Sequence, residues 1–350
     1  MTYRVTIEPV GREVECAEGQ SVLDACLRAG IWLPHACTHG TCGTCKAAVV
    51  SGQVDHRDSS EFALMDFERA EGKALLCTAR PCSDVVVEAD VQVEPGVVFQ
   101  PVEDYRAEVA LVEDVAPGIR RLVLDLERPM QFNPGQYVSL DVPGTAVRRS
   151  YSIATPPSGA SRIELDVKRT AGGLASDGWI FGDLVAGAEV SLTGPYGRFF
   201  FRDGRSEPVL MVAGGTGLAP LKAMVRHVLE TGLPHQLTLY HGARVPEELY
   251  DRAALEALAA QVPEQFRYVP VAAEGSVPGL RKGLVTEALA EDHDRCGGHV
   301  AYVCGPPPMV DATLRVLMER RLFPRDIYRE DFYDEADKVS GGVRSPLLRR

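Results

Sequence analysis

Apolar and polar residues alternate at the start of the chain, over residues 3–8 and 13–16, the pattern of half-buried strands. A helix follows with Ser21 as its N-cap: SVLDACLRAG sets Val22, Leu23, Cys26 and Leu27 on one face and stops at Gly30. Beyond a Gly- and Cys-rich loop, the pattern predicts a strand in KAAVVSG, a helix in EFALMDFERA and a strand in DVVVEADV. Mixed strands around one helix, in about 90 residues, predict a small α+β domain. The stretch VQVEPGVVFQPVEDY carries two prolines and no helical period, and reads as a linker.

From about residue 105 to 200 the apolar runs shorten and turn residues separate them: EVALVEDV, IRRLVLDL, QYVSLDV, RIELDVKR and EVSLTGP. Regular short strands of this kind predict an all-β barrel or sandwich. After residue 207 the apolar strands PVLMVAG, QLTLYHG, FRYVPV and HVAYVCG alternate with helical stretches such as LKAMVRHVLETG and ELYDRAALEALAAQ. Strand and helix alternating at this spacing predict a parallel, doubly wound sheet. The last residues, DKVSGGVRSPLLRR, read as a mobile tail. No internal repeat is present, and the chain divides into three domains, 1–98, 99–204 and 205–337, with a tail at 338–350.

Composition narrows the class. A chain of 350 residues, 45% hydrophobic and 25% charged, is neither collagen-like, coiled-coil nor wholly disordered. It has no apolar run long enough for a membrane helix and no basic-then-apolar leader, so a cytoplasmic protein is expected. A net charge of −12 excludes a general DNA or other nucleic-acid binder, which must neutralise phosphates. The charge is uneven: residues 1–98 hold 15 Asp/Glu against 8 Lys/Arg, or −7, and the other 252 residues hold 34 against 29, or −5. Of nine cysteines, seven lie in the first 82 residues. An odd count in a reducing compartment argues against a disulfide framework, and the clustering points to a metal or redox cofactor.

The segment CTHGTCGTCK spaces Cys37, Cys42 and Cys45 as C-x4-C-x2-C, and Cys77 follows after 31 intervening residues. This is the plant-type [2Fe–2S] spacing. Three thiolates close in sequence can wrap a compact cluster only on a tight loop, and Gly40 and Gly43 permit one. Zinc is the alternative, but its structural sites usually pair two C-x2-C knuckles and only one is present here. Cys16 and Cys26 occupy apolar core positions, and Cys82 has no assigned role. His35 and His39 permit a Rieske centre, which the four placed cysteines make unnecessary.

With these residues the chain resembles the reductase components of bacterial multicomponent oxygenases, in which a plant-type ferredoxin is joined to a module like ferredoxin–NADP⁺ reductase. The likeness is nearest to the phenol hydroxylase reductases. It runs over residues 2–337, through YRVTIEP, HGTCGTCK, FALMDFER, SDVVVEADV, GRFFFRD, YVCGPPPM and RLFPRDIYREDFY. The resemblance implies a β-grasp ferredoxin, a flavin-binding β-barrel and an NAD-binding doubly wound domain.

Arg149-Ser150-Tyr151-Ser152 matches the family's R-x-Y-S flavin signature. An Arg can neutralise a flavin phosphate, a Tyr can cover the ring, and a Ser hydroxyl can reach N5, where hydride arrives. Gly172-Gly173-Leu174-Ala175-Ser176 resembles the second flavin motif, whose amides approach a pyrophosphate; a pyrophosphate means FAD, although related reductases use FMN. The strand PVLMVA runs into Gly214-Gly215-Thr216-Gly217-Leu218-Ala219-Pro220 and then a helix. A Gly-rich turn there can hold a dinucleotide or be a plain structural turn; the family's nicotinamide motif, G-G-T-G-x-x-P, favours the dinucleotide. The family also places the Cys of C-G-P-P beside the nicotinamide, so Cys304, with Gly305 and Pro306, takes that role and Cys296 does not. Glu330-Asp331-Phe332 resembles the family's E-x-aromatic, which makes Glu330 a shaping residue and Phe332 a movable shield over the flavin. In HGARVPEELYDR, Arg244 could serve a 2′-phosphate, but Glu247, Glu248 and Asp251 follow it and would repel one, which favours NADH over NADPH.

The resemblance therefore implies electron flow from NADH through FAD and the [2Fe–2S] cluster to a partner oxygenase, a diiron hydroxylase of phenolic or other aromatic compounds. Ser152, Cys304, Glu330 and Phe332 would shape the reacting centre. Two related readings are a reductase of a Rieske-type ring-hydroxylating dioxygenase and a deoxysugar-pathway reductase. A reading of another class is a non-catalytic redox sensor that binds nucleotide and a metal cluster.

Overall fold

A computed structural model describes residues 1–332 apart from 37, 39, 92, 93, 95 and 276. Cys37, His39 and the tail expected at 338–350 lie outside the described residues. The chain forms two compact units, one of Met1–Glu103 with Pro195–Arg198, the other of Asp104–Gly194 and Phe199 onward.

In the first unit, Thr2–Glu8 pairs antiparallel with Arg12–Ala17 and parallel with Val85–Glu88, and Lys46–Ser51 completes the sheet with Lys73–Leu75. The helix Val22–Arg28 is capped as expected: Ser21 Oγ accepts the Asp24 N–H at 3.1 Å. Its buried residues, Val22, Leu23, Ala25, Cys26 and Leu27, lie on the face the apolar spacing assigns to the core. A mixed sheet grasping one helix is the β-grasp arrangement. The expected helix over 61–70 is shorter, Asp66–Ala70, because Leu64 is buried in a turn and Met65 is extended at ψ 156°. The stretch read as linker does not run free at its end. Trp32 stacks on Phe99 at 4.9 Å and donates its indole N–H to Gln100 O, and Val102 N–H bonds Leu27 O. A buried indole needs a carbonyl partner, which fixes this segment against the unit.

The second unit holds two sheets. One orders its strands Arg148–Ser152, Tyr137–Asp141, Glu189–Tyr196, Glu103–Ala116, Ile119–Leu126 and Arg162–Lys168. A bridge between Ile153 and Leu165, with the Ala154 N–H on Glu164 O at 2.8 Å, joins the first strand to the last and closes a barrel. Alternate residues, among them Leu122, Leu124, Val138, Leu140, Ile163 and Leu165, fill its core. The other sheet is parallel, in the order Arg281–Lys282, Phe266–Ala272, Leu237–Ala243, Val209–Gly214, Val300–Gly305, Ile327–Asp331. The chain moves outward from Val209–Gly214 on one side, then returns to Val300–Gly305 on the other. The switch point lies between those two strands, and ligands of doubly wound sheets bind at the carboxyl ends there.

Candidate functional site

The cysteine loop is held tightly. Gly40 and Gly43 are left-handed, at φ +82° and +71°. A Cβ on Gly40 would lie 2.7 Å from Thr78 Cγ2, so the loop rests on the residue after Cys77. The Leu76 N–H bonds Cys45 O at 3.0 Å, one step beyond the Lys46–Leu75 register, which brings the backbones at Cys45 and Cys77 to one end of the same ladder. Cys45 and Cys77 are buried, and Cys42 is half-buried with its Sγ 3.2 Å from Thr44 Oγ1. Among the described residues no disulfide forms, and no three His, Cys, Asp or Glu side chains are set to hold a metal ion without Cys37, which lies outside them. Soft thiols gathered on a loop too close-packed for a Cβ suit an iron–sulfur cluster. The other cysteines differ. Burial pushes the Cys16 thiol up to about 11 and Cys26 up to about 12, which keeps them protonated core residues, and Cys82 is exposed. His35 is buried with Nδ1 2.8 Å from Leu33 O.

In the barrel, Arg148–Ser152 pairs with Tyr137–Asp141, matching Leu140 to Arg149, Val138 to Tyr151 and Tyr137 to Ser152. The period of two sets Arg149 and Tyr151 on one face. Burial pushes the Tyr151 phenol up to about 12, so it stays neutral. Ser152 is buried, and three residues on, Thr155 Oγ1 is buried without a hydrogen-bond partner. An unmatched hydroxyl beside the signature strand suits a polar ligand. The Gly172 and Gly173 amides are already engaged, by Asp177 Oδ2 and Thr170 O at 2.9 Å each. They open a π-helix, Leu174–Asp183, and the amides of its first turn, at Leu174, Ala175 and Ser176, have no partner within the helix. These amides lie next to the two glycines of the motif.

At the switch point two glycine motifs interlock. A Cβ on Gly217 would fall on the Cys304 carbonyl; one on Gly214 would lie 2.5 Å from Met309 Sδ; one on Gly305, at φ +148°, would lie 2.8 Å from Gly214 O. These three glycines let backbones touch. Gly215 differs: it is left-handed at φ +54° with open space where a side chain would be, so its backbone is accessible and not packed against another segment. Thr216 and Pro220 are buried, the latter in the first turn of Leu218–Thr231, and Pro306 caps the helix Pro307–Glu319.

The register of Val300–Gly305 and Ile327–Asp331 sets Cys304 beside Glu330 and Gly305 beside Asp331. Ser152 Oγ donates across from the barrel to Glu330 Oε2 at 3.5 Å, a long and weak contact. Burial, with the neighbouring Asp331 charge, pushes Glu330 up to about 8, so it is neutral at pH 7. Cys304 is fully buried, and burial beside Glu330 drives its thiol well above the usual range. The thiol therefore stays protonated, and Cys304 presents no thiolate nucleophile. Phe332 packs on the same core and its N–H bonds Gly305 O at 3.0 Å. Serine, cysteine, glutamate and phenylalanine thus converge from the two lobes of one unit.

Arg244 is ion-paired with Glu248, Nη2 to Oε1 at 3.2 Å. Asp251 does not act beside it as the sequence suggests: it turns inward to Arg121 and Lys222, at 2.6 and 2.8 Å. Those two cations, with Asp166, are residues that sequence reasoning missed. They lie too far apart in the chain for any local pattern to join them.

Three family descriptions match in order: a 2Fe-2S iron-sulfur cluster binding domain at 5–82, an oxidoreductase FAD-binding domain at 106–201 and an oxidoreductase NAD-binding domain at 211–315. The chain is 47% identical over 354 positions to the phenol 2-monooxygenase reductase component DmpP of Pseudomonas sp. strain CF600, covering all of both chains. It is 42% identical to the aromatic O-demethylase reductase subunit of Amycolatopsis sp., over 95% of this chain and 99% of that one. Among solved structures, the Amycolatopsis cytochrome P450 reductase GcoB superposes with a TM-score of 0.88 at 42% identity, over 95% and 99% of the two chains. The ferredoxin reductase in carbazole 1,9a-dioxygenase gives 0.79 at 27% identity, over 95% and 99%.

Proposed function

Because the chain belongs to the reductase components of multicomponent oxygenases, we propose that its partner is a diiron hydroxylase of phenolic or other aromatic compounds and that its electrons come from NADH. FAD held by Arg149, Tyr151 and Ser152 would supply a two-electron acceptor for the hydride of NADH and a one-electron donor to the [2Fe–2S] cluster that serves the oxygenase. The convergence of Ser152, Cys304 and Glu330 at the switch point is the observation that carries this reading. Ser152 and neutral Glu330 hold a proton-bearing, uncharged contact where nicotinamide and flavin must meet. Buried Cys304 and half-buried Phe332 exclude water from it. Gly215 opens the approach for the dinucleotide, Arg149 and the Leu174–Ser176 amides receive the flavin phosphates, and Tyr151 covers the ring. Cys37, Cys42, Cys45 and Cys77 hold the cluster. The Arg244–Glu248 pair leaves no unmatched cation in that segment for a 2′-phosphate, which supports NADH over NADPH.

These roles divide the chain into a ferredoxin domain at 1–98, a flavin domain at 99–204 and a nucleotide domain at 205–337. We place the protein in the cytoplasm; among the described residues no helix is long and apolar enough to cross a membrane. The test is electron delivery. The purified protein should bleach with NADH and support turnover of a diiron hydroxylase. Turnover of a Rieske oxygenase alone would reassign the partner. Cys42→Ser should abolish reduction of cytochrome c and leave NADH-driven reduction of ferricyanide intact. Loss of both would make the cluster structural and not a relay.

A further inference from the structure

Five charged side chains meet where the flavin barrel and the nucleotide lobe touch. Arg121 and Asp166 are direct cross-strand partners on Ile119–Leu126 and Arg162–Lys168, and pair at 2.9 Å. Arg121 also reaches Asp251 at 2.6 Å. Lys222 Nζ completes the square, 2.8 Å from Asp251 and 3.2 Å from Asp166. Glu164 stands farther off, 3.5 Å from Lys222 and 3.8 Å from Arg121. The Asp166 side chain is fully buried and that of Lys222 is 7% exposed. Burial opposes the charge on Asp251, but Lys222 and Arg121 outweigh it and hold the carboxyl below its ordinary range. Ion pairs buried this deeply are weak stabilisers, because desolvation offsets most of the attraction. Their directional contacts do restrict geometry: each cation is held by a carboxylate from the barrel and one from the lobe.

The members attach to the segments that carry the site. Lys222 lies in the second turn of Leu218–Thr231, the helix opened by the Gly214–Gly217 loop. Asp251 follows the Arg244–Glu248 segment and stands left-handed at φ +57°, a costly backbone for a residue with a side chain. On the barrel side, Leu165 bridges Ile153 and Glu164 O accepts the Ala154 N–H, so this strand is bonded to the residues directly after Ser152.

We propose that Arg121, Asp166, Lys222 and Asp251 are positioning residues for hydride transfer, a charge clamp that seats the nucleotide lobe on the flavin barrel so that nicotinamide and flavin meet at Ser152. This rests on the NADH-to-FAD transfer proposed above. Reacting atoms must come to about 3–3.5 Å, and a displacement of about 1 Å can cost about a hundredfold in rate. Loosening the clamp should therefore lower the limiting rate more than it weakens dinucleotide binding.

Asp251→Asn is the informative variant. Asn tolerates the left-handed backbone, and removing this charge leaves two cations facing two carboxylates, Asp166 and Glu164. In the full-length holoprotein, anaerobic stopped-flow mixing with NADH should show the limiting rate of flavin reduction down about tenfold or more, with the apparent Kd within about threefold. Flavin and iron content and reduction by dithionite should be unchanged. The long-wavelength charge-transfer absorption of the nicotinamide–flavin pair should weaken. Without any turnover, deuterium uptake should rise at 119–126 and 218–222. A limiting rate within about twofold of wild type, at full cofactor content, would overturn the clamp. Asp251→Glu covers the case in which the neutral variant does not hold FAD. It keeps the charge but lengthens the arm, and a wild-type limiting rate in it would also overturn the proposal. If the wild-type chain is reduced by NADPH and not by NADH, the cofactor reading fails separately, and the same comparison is made with NADPH.

Discussion

Glu330 shows how far one residue's chemistry depends on where the fold leaves it. Its folded-state value, about 8, lies above the ordinary carboxyl value of 4.5, so the native protein keeps a proton that the unfolded chain has lost across that window. The contribution of this group to stability should therefore fall as pH rises from about 4.5 to 8, by at most about 1.4 kcal/mol per pH unit. Urea unfolding of wild type and Glu330→Gln between those limits should show wild type losing stability relative to the variant as pH rises, over and above the slope both share from buried histidines such as His241; a constant difference would mean that Glu330 is ionised throughout. At the same scale, Glu248→Gln frees Arg244 from its ion pair. The ratio of kcat/KM for NADH over NADPH should then fall about fivefold or more, from the charge contribution of one exposed cation to a phosphate. An unchanged ratio would remove this pair from dinucleotide selection.

Among the elements, the strand–turn–helix at Val209–Thr231 was legible because its signals are contiguous: an apolar run, glycines, then a helical period. The task of each glycine was not legible, since the three glycines of this turn do two different things. Gly217→Ala would press a methyl group into the Cys304 carbonyl and should cost about 2–4 kcal/mol in stability. Gly215→Ala meets no atom within 4 Å and carries only the left-handed backbone cost, about 1–2 kcal/mol. Its larger effect should be weaker NADH binding. Thermal unfolding and NADH titration of the two variants should separate them, and equal destabilisation would contradict the open space at Gly215. The π-helix at Leu174–Asp183 shows the same limit, because its i→i+5 bonds leave no periodic trace in ten residues.

Across the whole molecule, the acidic balance belongs chiefly to the cluster-bearing end, −7 over residues 1–98 against −5 over the rest. Electron delivery to the oxygenase should therefore slow several-fold between about 0.05 and 0.5 M salt, while NADH–ferricyanide turnover changes by less than about twofold. Rates of delivery independent of salt would discount electrostatic docking. The sequence by itself determined the order of the three modules, the cysteine spacing and the glycine motifs, because each is written in neighbouring residues through periodicity, spacing or backbone permissiveness. Tertiary structure alone decided which distant groups share an environment. Ser152 meets Glu330 across 178 positions, and Arg121 meets Asp251 across 130. Asp251 is the clearest case. In sequence its charge reads as a repellent for phosphate, and in the fold buried Lys222 and half-buried Arg121 turn it into part of a clamp. The cause is electrostatic: a side chain's charge state and partners depend on the dielectric and the neighbours that folding brings to it, and neither is present in the residues beside it in the chain.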